Sequence, residues 1–110
     1  MEKPLVKFED FQRLDLAVAR IISAERIGES GKMLKLRVFT GEEERVVLAG
    51  IAADYDPDEL VGQKVVILLN LEPRKILGIE SKGMLMAAEG GAIVSLLKPD
   101  KDISEGSRIG

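Results

Sequence analysis

Hydrophobic and polar positions in the first half of the chain alternate in a way that predicts a meander of three antiparallel strands. Residues 16–25 are rich in small and β-branched apolar residues, which favour a long strand. In residues 32–39, aliphatic residues alternate with Lys35 and Arg37, so one face of this strand is predicted to be buried. After an acidic turn, residues 45–49 return as the third strand.

Two short helices interrupt the strand pattern. Residues 8–14 place apolar side chains at i, i+3 and i+6, which predicts a short helix that lies on the barrel as a lid. Further along, Asp56 directly before Pro57 marks a helix start, and Gly62 marks its end.

The second half of the chain predicts three more strands. Residues 63–71 are apolar on both faces, so this strand is predicted to be the most buried. A longer connection over residues 72–82 separates it from a strand at 83–88, and another strand follows at 92–97. Residues 98–110 are rich in turn-forming residues.

The order of these elements indicates the fold class. Three strands, a helix and further strands are the order of the five-stranded oligonucleotide/oligosaccharide-binding (OB) barrel, an all-β fold, here with short helices and N- and C-terminal extensions. An SH3-like barrel could be built from similar strands, but the capped helix between the third and fourth strands favours the OB barrel. At 110 residues, we expect residues 1–110 to form a single domain.

Composition narrows the possible chemistry. The chain has no Cys and no His, which excludes cysteine nucleophiles, the usual zinc sites and a Ser-His-Asp triad, so we expect a non-catalytic protein without metal or cofactor. No apolar stretch approaches the roughly 18 residues of a membrane span, and no signal-peptide core is present, which predicts a cytoplasmic protein. The net charge of -3 argues against nonspecific coating of nucleic acid.

The first candidate binding group lies on the second predicted strand. Lys35 and Arg37 share one face, and Lys32 stands at the entrance of the strand, where a phosphate backbone could follow all three. The alternative is an ordinary solvated outer face, which is the commoner origin of charge alternation in strands.

The second candidate group spans the long connection and the strand ends beside it. It combines amide and hydroxyl groups for hydrogen bonds, cations for phosphates and a flexible methionine that can lie against a base. Its members are Asn70, Arg74, Lys75, Ser81, Lys82 and Met84. The alternative is a turn with Met84 in the core, because Met84 and Met86 share parity on their predicted strand.

Aromatic residues are scarce, which limits the kind of RNA that the chain could bind. With one Tyr, three Phe and no Trp, a broad base-stacking platform for single strands is poorly provided. A structured RNA that is recognised through shape and backbone fits this inventory better.

Several stretches of the chain, in order, resemble a known family. They are Phe8-Glu9-Asp10-Phe11, Leu14-Asp15-Leu16, Gly31 to Leu36, Ala49 to Ala52, Val61 to Val66, Asn70 to Lys75, Gly78 to Met84 and Leu96 to Pro99. The chain resembles, from Phe8 to its end, the tRNA-binding domain that occurs as a free-standing protein, as the β-subunit or C-terminal domain of methionyl-tRNA synthetases, and in the endothelial monocyte-activating polypeptide group.

This resemblance implies the OB barrel, tRNA as the partner, and an RNA face that includes Lys32, Asn70, Arg74, Ser81 and Met84. It further implies a homodimer joined through the terminal segments, with one tRNA across the pair, and an association with the methionyl-tRNA synthetase catalytic subunit. The CsaA-type export chaperones share the barrel and the dimer but bind polypeptides. The chain resembles them less through residues 81–84, and they remain the alternative.

Overall fold

A curled antiparallel sheet forms most of the molecule. The computed structural model describes residues 2–110. Its helices and strands, in chain order, are α1 Phe8–Gln12, β1 Leu16–Ile27, β2 Met33–Phe39, β3 Glu44–Ala49, α2 Pro57–Leu60, β4 Lys64–Leu68, β5 Arg74–Ile76, β6 Ile79–Ser81, β7 Met84–Leu85, β8 Ala87–Gly90 and β9 Ile93–Leu96. Five strands pair in the order β3-β2-β1-β4-β7, while β5-β6 and β8-β9 form separate hairpins.

Strand β1 lies at the centre and bends the sheet into a half-barrel. Its first part pairs with β4 and its second part pairs with β2, and the register shifts between Ile21 and Ser23. Such an irregularity increases the local twist and lets one strand serve both halves of a barrel. The C-terminal segment pairs with the start of β1, where the Val18 N–H donates to the Ser107 carbonyl at 2.9 Å. This architecture confirms the predicted OB fold.

The core lies inside this curved sheet. The alternation predicted for β2 is confirmed, because Leu34, Leu36 and Val38 are fully buried. The prediction that β4 is the most buried strand is also confirmed, since every residue from Val65 to Leu68 is buried. Leu34, Leu36 and Val38 meet Val65 and Ile67 in one core cluster.

Helix α2 begins and ends where its flanking residues predict. The Asp56 carboxylate accepts a hydrogen bond from the Asp58 N–H at 3.0 Å, and Pro57 occupies the first turn. Gly62 has φ +89°, and its N–H donates to the Ile21 carbonyl at 2.7 Å. The helix is thus fixed at both ends, and its last residue, Leu60, is buried in the core.

Helix α1 differs from its prediction. It begins at Phe8 as expected, but none of its residues is buried, and Phe8 is 70% exposed. The rings of Phe8 and Phe11 stack on each other with centroids 6.3 Å apart. The prediction of a lid that lies on the barrel is therefore wrong, because no residue of α1 is buried against the sheet.

Two further predictions are corrected in the second half. The connection predicted at 72–82 contains the β5–β6 hairpin, which has a two-residue turn at Leu77 and Gly78 where both residues have positive φ. The strand predicted at 83–88 is divided at Met86. Its N–H donates to Val66 of β4 while its carbonyl accepts from Leu97, so the chain leaves the sheet there and enters the β8–β9 hairpin.

Candidate nucleic-acid interface

The β5–β6 hairpin carries most of the second candidate group, with the consecutive residues Arg74 and Lys75 on opposite faces of the hairpin. Arg74 lies opposite Ser81 and Lys75 lies opposite Glu80. The side chains of Arg74, Lys75 and Lys82 are exposed. The hairpin is attached to the edge of the barrel, where the Lys82 N–H donates to the Val46 carbonyl of β3 at 2.9 Å. Three cationic groups therefore project from a short element that is anchored to the sheet.

Ser81 lies on the inner side of this attachment. It is 6% exposed, and its hydroxyl oxygen accepts from the Leu48 N–H at 3.0 Å and donates to the Gly83 carbonyl at 3.3 Å. An unpaired N–H on the edge strand would be costly if it were buried, so this hydroxyl joins β3 to the hairpin. The structure thus places Ser81 under the candidate surface and not on it.

Asn70 is exposed, but its side-chain amide forms hydrogen bonds within the chain. Its Oδ1 accepts from the Asp15 N–H at 2.8 Å, and its Nδ2 donates to the Arg13 carbonyl at 2.6 Å. These bonds join the end of β4 to the connection between α1 and β1. The side chain therefore fixes the start of the segment that carries the hairpin.

Met84 lies at the surface, so the alternative that places it in the core is wrong. Its side chain is 41% exposed, whereas the adjacent Leu85 is 9% exposed. Met84 lines a groove of about 240 Å³ between β3 and the β8–β9 hairpin, and it also borders a cavity of about 50 Å³ beneath Arg74 and Ile76. A flexible thioether at the rim of this groove, whose other side chains are apolar except for Glu89, can contact a nucleobase.

The members of the first candidate group differ in whether a carboxylate lies beside them. Lys35 and Arg37 point outward from β2, as the alternation predicts, but each faces a carboxylate. The Lys35 Nζ lies 3.8 Å from the Glu25 Oε1, and Arg37 donates to Glu44. Lys32 is exposed in the connection between β1 and β2, and within residues 2–110 it forms no ion pair.

Arg45 is a site residue that sequence reasoning missed. Its Nη1 donates to the Leu69 carbonyl at 2.8 Å and to the Lys82 carbonyl at 3.4 Å, and its Nε donates to Glu43 at 2.7 Å. The guanidinium thus holds both ends of the segment between β4 and β7. Nothing in the local pattern signals this role, because both carbonyls are distant in sequence.

Two ion pairs fasten the C-terminal segment to the barrel. The hydrogen bond from Arg20 lowers the pKa of the Glu105 carboxyl, and the hydrogen bond from Lys64 lowers the pKa of Asp102. A lowered pKa in the folded state means that the stabilisation is present at neutral pH and is lost as the pH falls through the folded-state pKa. These two carboxylates belong to the C-terminal segment, so part of the negative charge of the chain is held apart from the hairpin.

Other kinds of site are absent from the part of the chain that the structure describes. Residues 2–110 contain no cluster of three or more acidic, His or Cys side chains able to hold a metal ion. Among the same residues, no helix is long and apolar enough to cross a membrane.

Sequence comparison matches the chain to known proteins over almost its whole length. Residues 16–108 match the family described as a putative tRNA binding domain. The chain is 51% identical over 108 residues to a methionine–tRNA ligase of Methanothrix thermoacetophila and 44% identical over 108 residues to that of Archaeoglobus fulgidus. Each match covers 98% of this chain but 16% of the ligase, so the chain spans about one sixth of these relatives.

Structural comparison gives two kinds of neighbour. The fold superposes on a MetRS related protein from Pyrococcus horikoshii with a TM-score of 0.92 and 35% identity, covering 98% of this chain and 100% of the other. It also superposes on the chaperone CsaA from Bacillus anthracis with a TM-score of 0.90 and 28% identity, covering 97% and 100% of the two chains. The same barrel thus occurs in proteins whose names indicate different functions.

Proposed function

We propose that this chain, which belongs to the putative tRNA binding domain family, binds folded tRNA through the surface formed by the β5–β6 hairpin, Lys82 and Met84. The observation that carries the proposal is the unpaired state of the hairpin cations. Within residues 2–110, Arg74 and Lys75 are exposed and have no carboxylate partner, whereas most cations on the sheet have one. Unpaired cations remain available to phosphates.

The surface combines cations for phosphates with an apolar side chain for a nucleotide, which suits a structured RNA. Arg74 and Lys75 contact phosphates, and so does Lys82, whose pair with Glu80 is as wide as that of Lys35 with Glu25 but whose side chain is more exposed. Lys32 is a further cation on the neighbouring connection. Met84 contacts an exposed nucleotide at the rim of the apolar groove. The hairpin projects from the barrel, so its cations can reach a backbone that is not flat.

The exposed Asn70 and the buried Ser81 contribute to this function by holding the backbone in place. Their side chains hydrogen-bond the backbone at the two ends of the RNA-binding segment. Lys35 and Arg37 lie at the edge of the proposed interface and act through long-range attraction more than through contact, because their carboxylate partners compete with phosphate.

Titration with unfractionated tRNA tests the proposal directly. We expect saturable binding whose logarithm of affinity falls with the logarithm of salt concentration at a slope of about 3 to 4, one unit for each phosphate contact. A single-stranded homopolymer of equal length is the control, and we expect it to bind more weakly. Absence of tRNA binding at low salt would overturn the proposal.

We also propose a non-catalytic role as a tRNA-binding unit that assists methionyl-tRNA synthetase, and assembly as a homodimer. The first rests on the identity to methionine–tRNA ligases and on the absence of Cys and His from the sequence. The second is supported by the exposed apolar residues near the N-terminus, namely Leu5, Val6, Phe8 and Leu14. Light scattering at micromolar concentration tests the dimer, and a monomeric mass would contradict it.

Polypeptide binding is the second candidate, favoured by the close superposition on CsaA chaperones and by the apolar groove beside Met84. The two functions are separated by competition. If the chain is a tRNA-binding unit, an unfolded polypeptide in excess leaves tRNA binding unchanged. Tight binding of polypeptide without binding of tRNA would instead establish the chaperone function.

A further inference from the structure

The tip of the β5–β6 hairpin contains the one non-glycine residue with positive φ in the part of the chain that the structure describes. Leu77 has φ +53° and is followed by Gly78 with φ +77°. This is the backbone of a two-residue hairpin turn with both residues left-handed, which strongly favours Asn-Gly or Gly-Gly. A leucine there is strained, and such strain persists only where the surroundings hold it.

The surroundings of Leu77 are found on another connection. Its side chain is 60% exposed, and its covered end lies over Gly28, between β1 and β2, where a Cβ built on Gly28 would lie 2.9 Å from the Leu77 Cδ1. Gly28 therefore leaves room for the end of the Leu77 side chain, and a Cβ at this position would displace that flexible end. The tip of the hairpin rests on the same connection that carries Lys32.

We propose that Leu77 is a positioning residue that docks the hairpin tip on Gly28 and so holds Arg74 and Lys75 in place for tRNA. The proposal rests on the proposed tRNA-binding function and adds to it the means by which the surface is preorganised. Arg45 holds the base of the segment, and Leu77 holds the tip. A hairpin fixed at both ends loses less conformational entropy on binding than a free one.

The contact also explains why the turn does not use the residue type that local preference would select. An asparagine at this position would satisfy the backbone but could not fill the space over Gly28. The leucine side chain therefore serves a distant contact, at the expense of local conformational preference.

The decisive variant is Leu77→Asn, because it relieves the strained turn and removes the docking contact together. We expect the hairpin to remain formed and the denaturation midpoint to stay equal or rise. We expect the Kd for tRNA to rise about three- to tenfold, the range for a binding loop that must be ordered on association. Leu77→Met, which keeps an apolar side chain of similar reach, should restore most of the affinity.

A pair of glycine variants tests the contact from the opposite side. Gly28→Ala places a methyl group against Leu77, whereas Gly31→Ala, in the same connection, meets open space within 4 Å. Both glycines have positive φ, so the backbone strain is matched. We expect Gly28→Ala to weaken tRNA binding well beyond Gly31→Ala. Equal effects of the two variants would overturn the docking contact.

A measurement without RNA separates failure of this inference from failure of the proposed function. In the free wild-type protein, ¹⁵N relaxation should show residues 75–80 as rigid as the sheet, and in Leu77→Asn these amides should become mobile. A mobile hairpin in the wild type overturns the inference whatever the protein binds. A rigid wild-type hairpin, a mobile variant and no tRNA binding by either protein would instead overturn the proposed function and leave the docking contact established.

Discussion

The outward face of β2 and the β5–β6 hairpin both carry two basic residues, but they differ in what surrounds those residues. On β2, Lys35 and Arg37 each lie beside a glutamate from a neighbouring strand. On the hairpin, Arg74 and Lys75 are exposed and have no ion pair within residues 2–110. The face of β2 therefore pairs its own cations, while the hairpin leaves Arg74 and Lys75 available, as we propose, to tRNA phosphates.

This difference explains how a chain with a net charge of -3 can bind a polyanion. The number of cations matters less than the number that can exchange water and counterions for phosphate. Paired surface cations must first give up a carboxylate, and that exchange brings little net gain.

The largest loss of tRNA affinity is expected when the two basic side chains of the hairpin are replaced by alanine. Arg74→Ala combined with Lys75→Ala should raise the Kd for tRNA by about 10- to 100-fold and lower the salt slope by about two units, because two phosphate contacts are lost. The matched control is Lys35→Ala with Arg37→Ala, which removes the same charge from β2. The comparison fails if the control loses as much affinity as the hairpin variant in parallel titrations.

A large effect of a different kind is expected at Arg45, which joins the β2–β3 turn to the segment that carries the hairpin. Arg45→Met should lower the free energy of unfolding by about 1 to 3 kcal/mol, since the carbonyls of Leu69 and Lys82 lose a charged donor. It should also weaken tRNA binding. Urea denaturation measures the first effect, and Arg45→Lys serves as the control with the charge retained. Unchanged stability in Arg45→Met would show that these hydrogen bonds do not hold the segment.

An effect of intermediate size on tRNA affinity is expected at Met84. Its substitution should weaken tRNA binding with little change in the stability of the fold. Met84→Ala should raise the Kd for tRNA about threefold to tenfold while costing less than about 1 kcal/mol of stability, because the side chain is already partly in water. Leu85→Ala, the buried neighbour, should cost about 2 to 4 kcal/mol of stability. Binding isotherms and denaturation curves on both variants check this. A large stability loss in Met84→Ala would place the side chain in the core after all.

The smallest effect is expected from releasing the cations of β2. Glu25→Gln with Glu44→Gln removes the partners of Lys35 and Arg37 and changes the net charge by two units. If β2 lies outside the contact surface, tRNA affinity should rise by no more than about twofold, through long-range attraction that salt screens. An increase in tRNA affinity of tenfold or more that persists at high salt would show that the β2 face can bind tRNA once its cations lose their carboxylate partners.

Helices and strands whose formation depends on neighbouring residues were predictable from the sequence. The alternation of β2 and the capped start of α2 depend on neighbouring residues, and both are found as predicted. The β5–β6 hairpin was not predictable, because its turn places Leu77, a residue type that rarely adopts positive φ, directly before Gly78. Sequence pattern alone cannot detect a residue whose local preference is overridden by tertiary packing.

In the candidate site, too, local sequence indicated some features, while others depend on contacts between distant residues. Residue type drew attention to the segment between residues 70 and 84, but it could not tell which side chains are used within the chain. Ser81 and Asn70 are hydrogen-bonded to distant backbone groups, and Arg45 was missed because its partners lie on other strands. Exposure and pairing are properties of the fold and become visible only when the strands are in register.

The most direct test of the account is an amide chemical-shift map of the ¹⁵N-labelled protein titrated with unfractionated tRNA. We expect the largest changes at residues 74–76 and 82–84, a smaller change at Lys32, and little change at Lys35 and Arg37. Changes concentrated on β2, or a spectrum that tRNA leaves unaltered, would contradict the claim that the hairpin is the tRNA-binding surface.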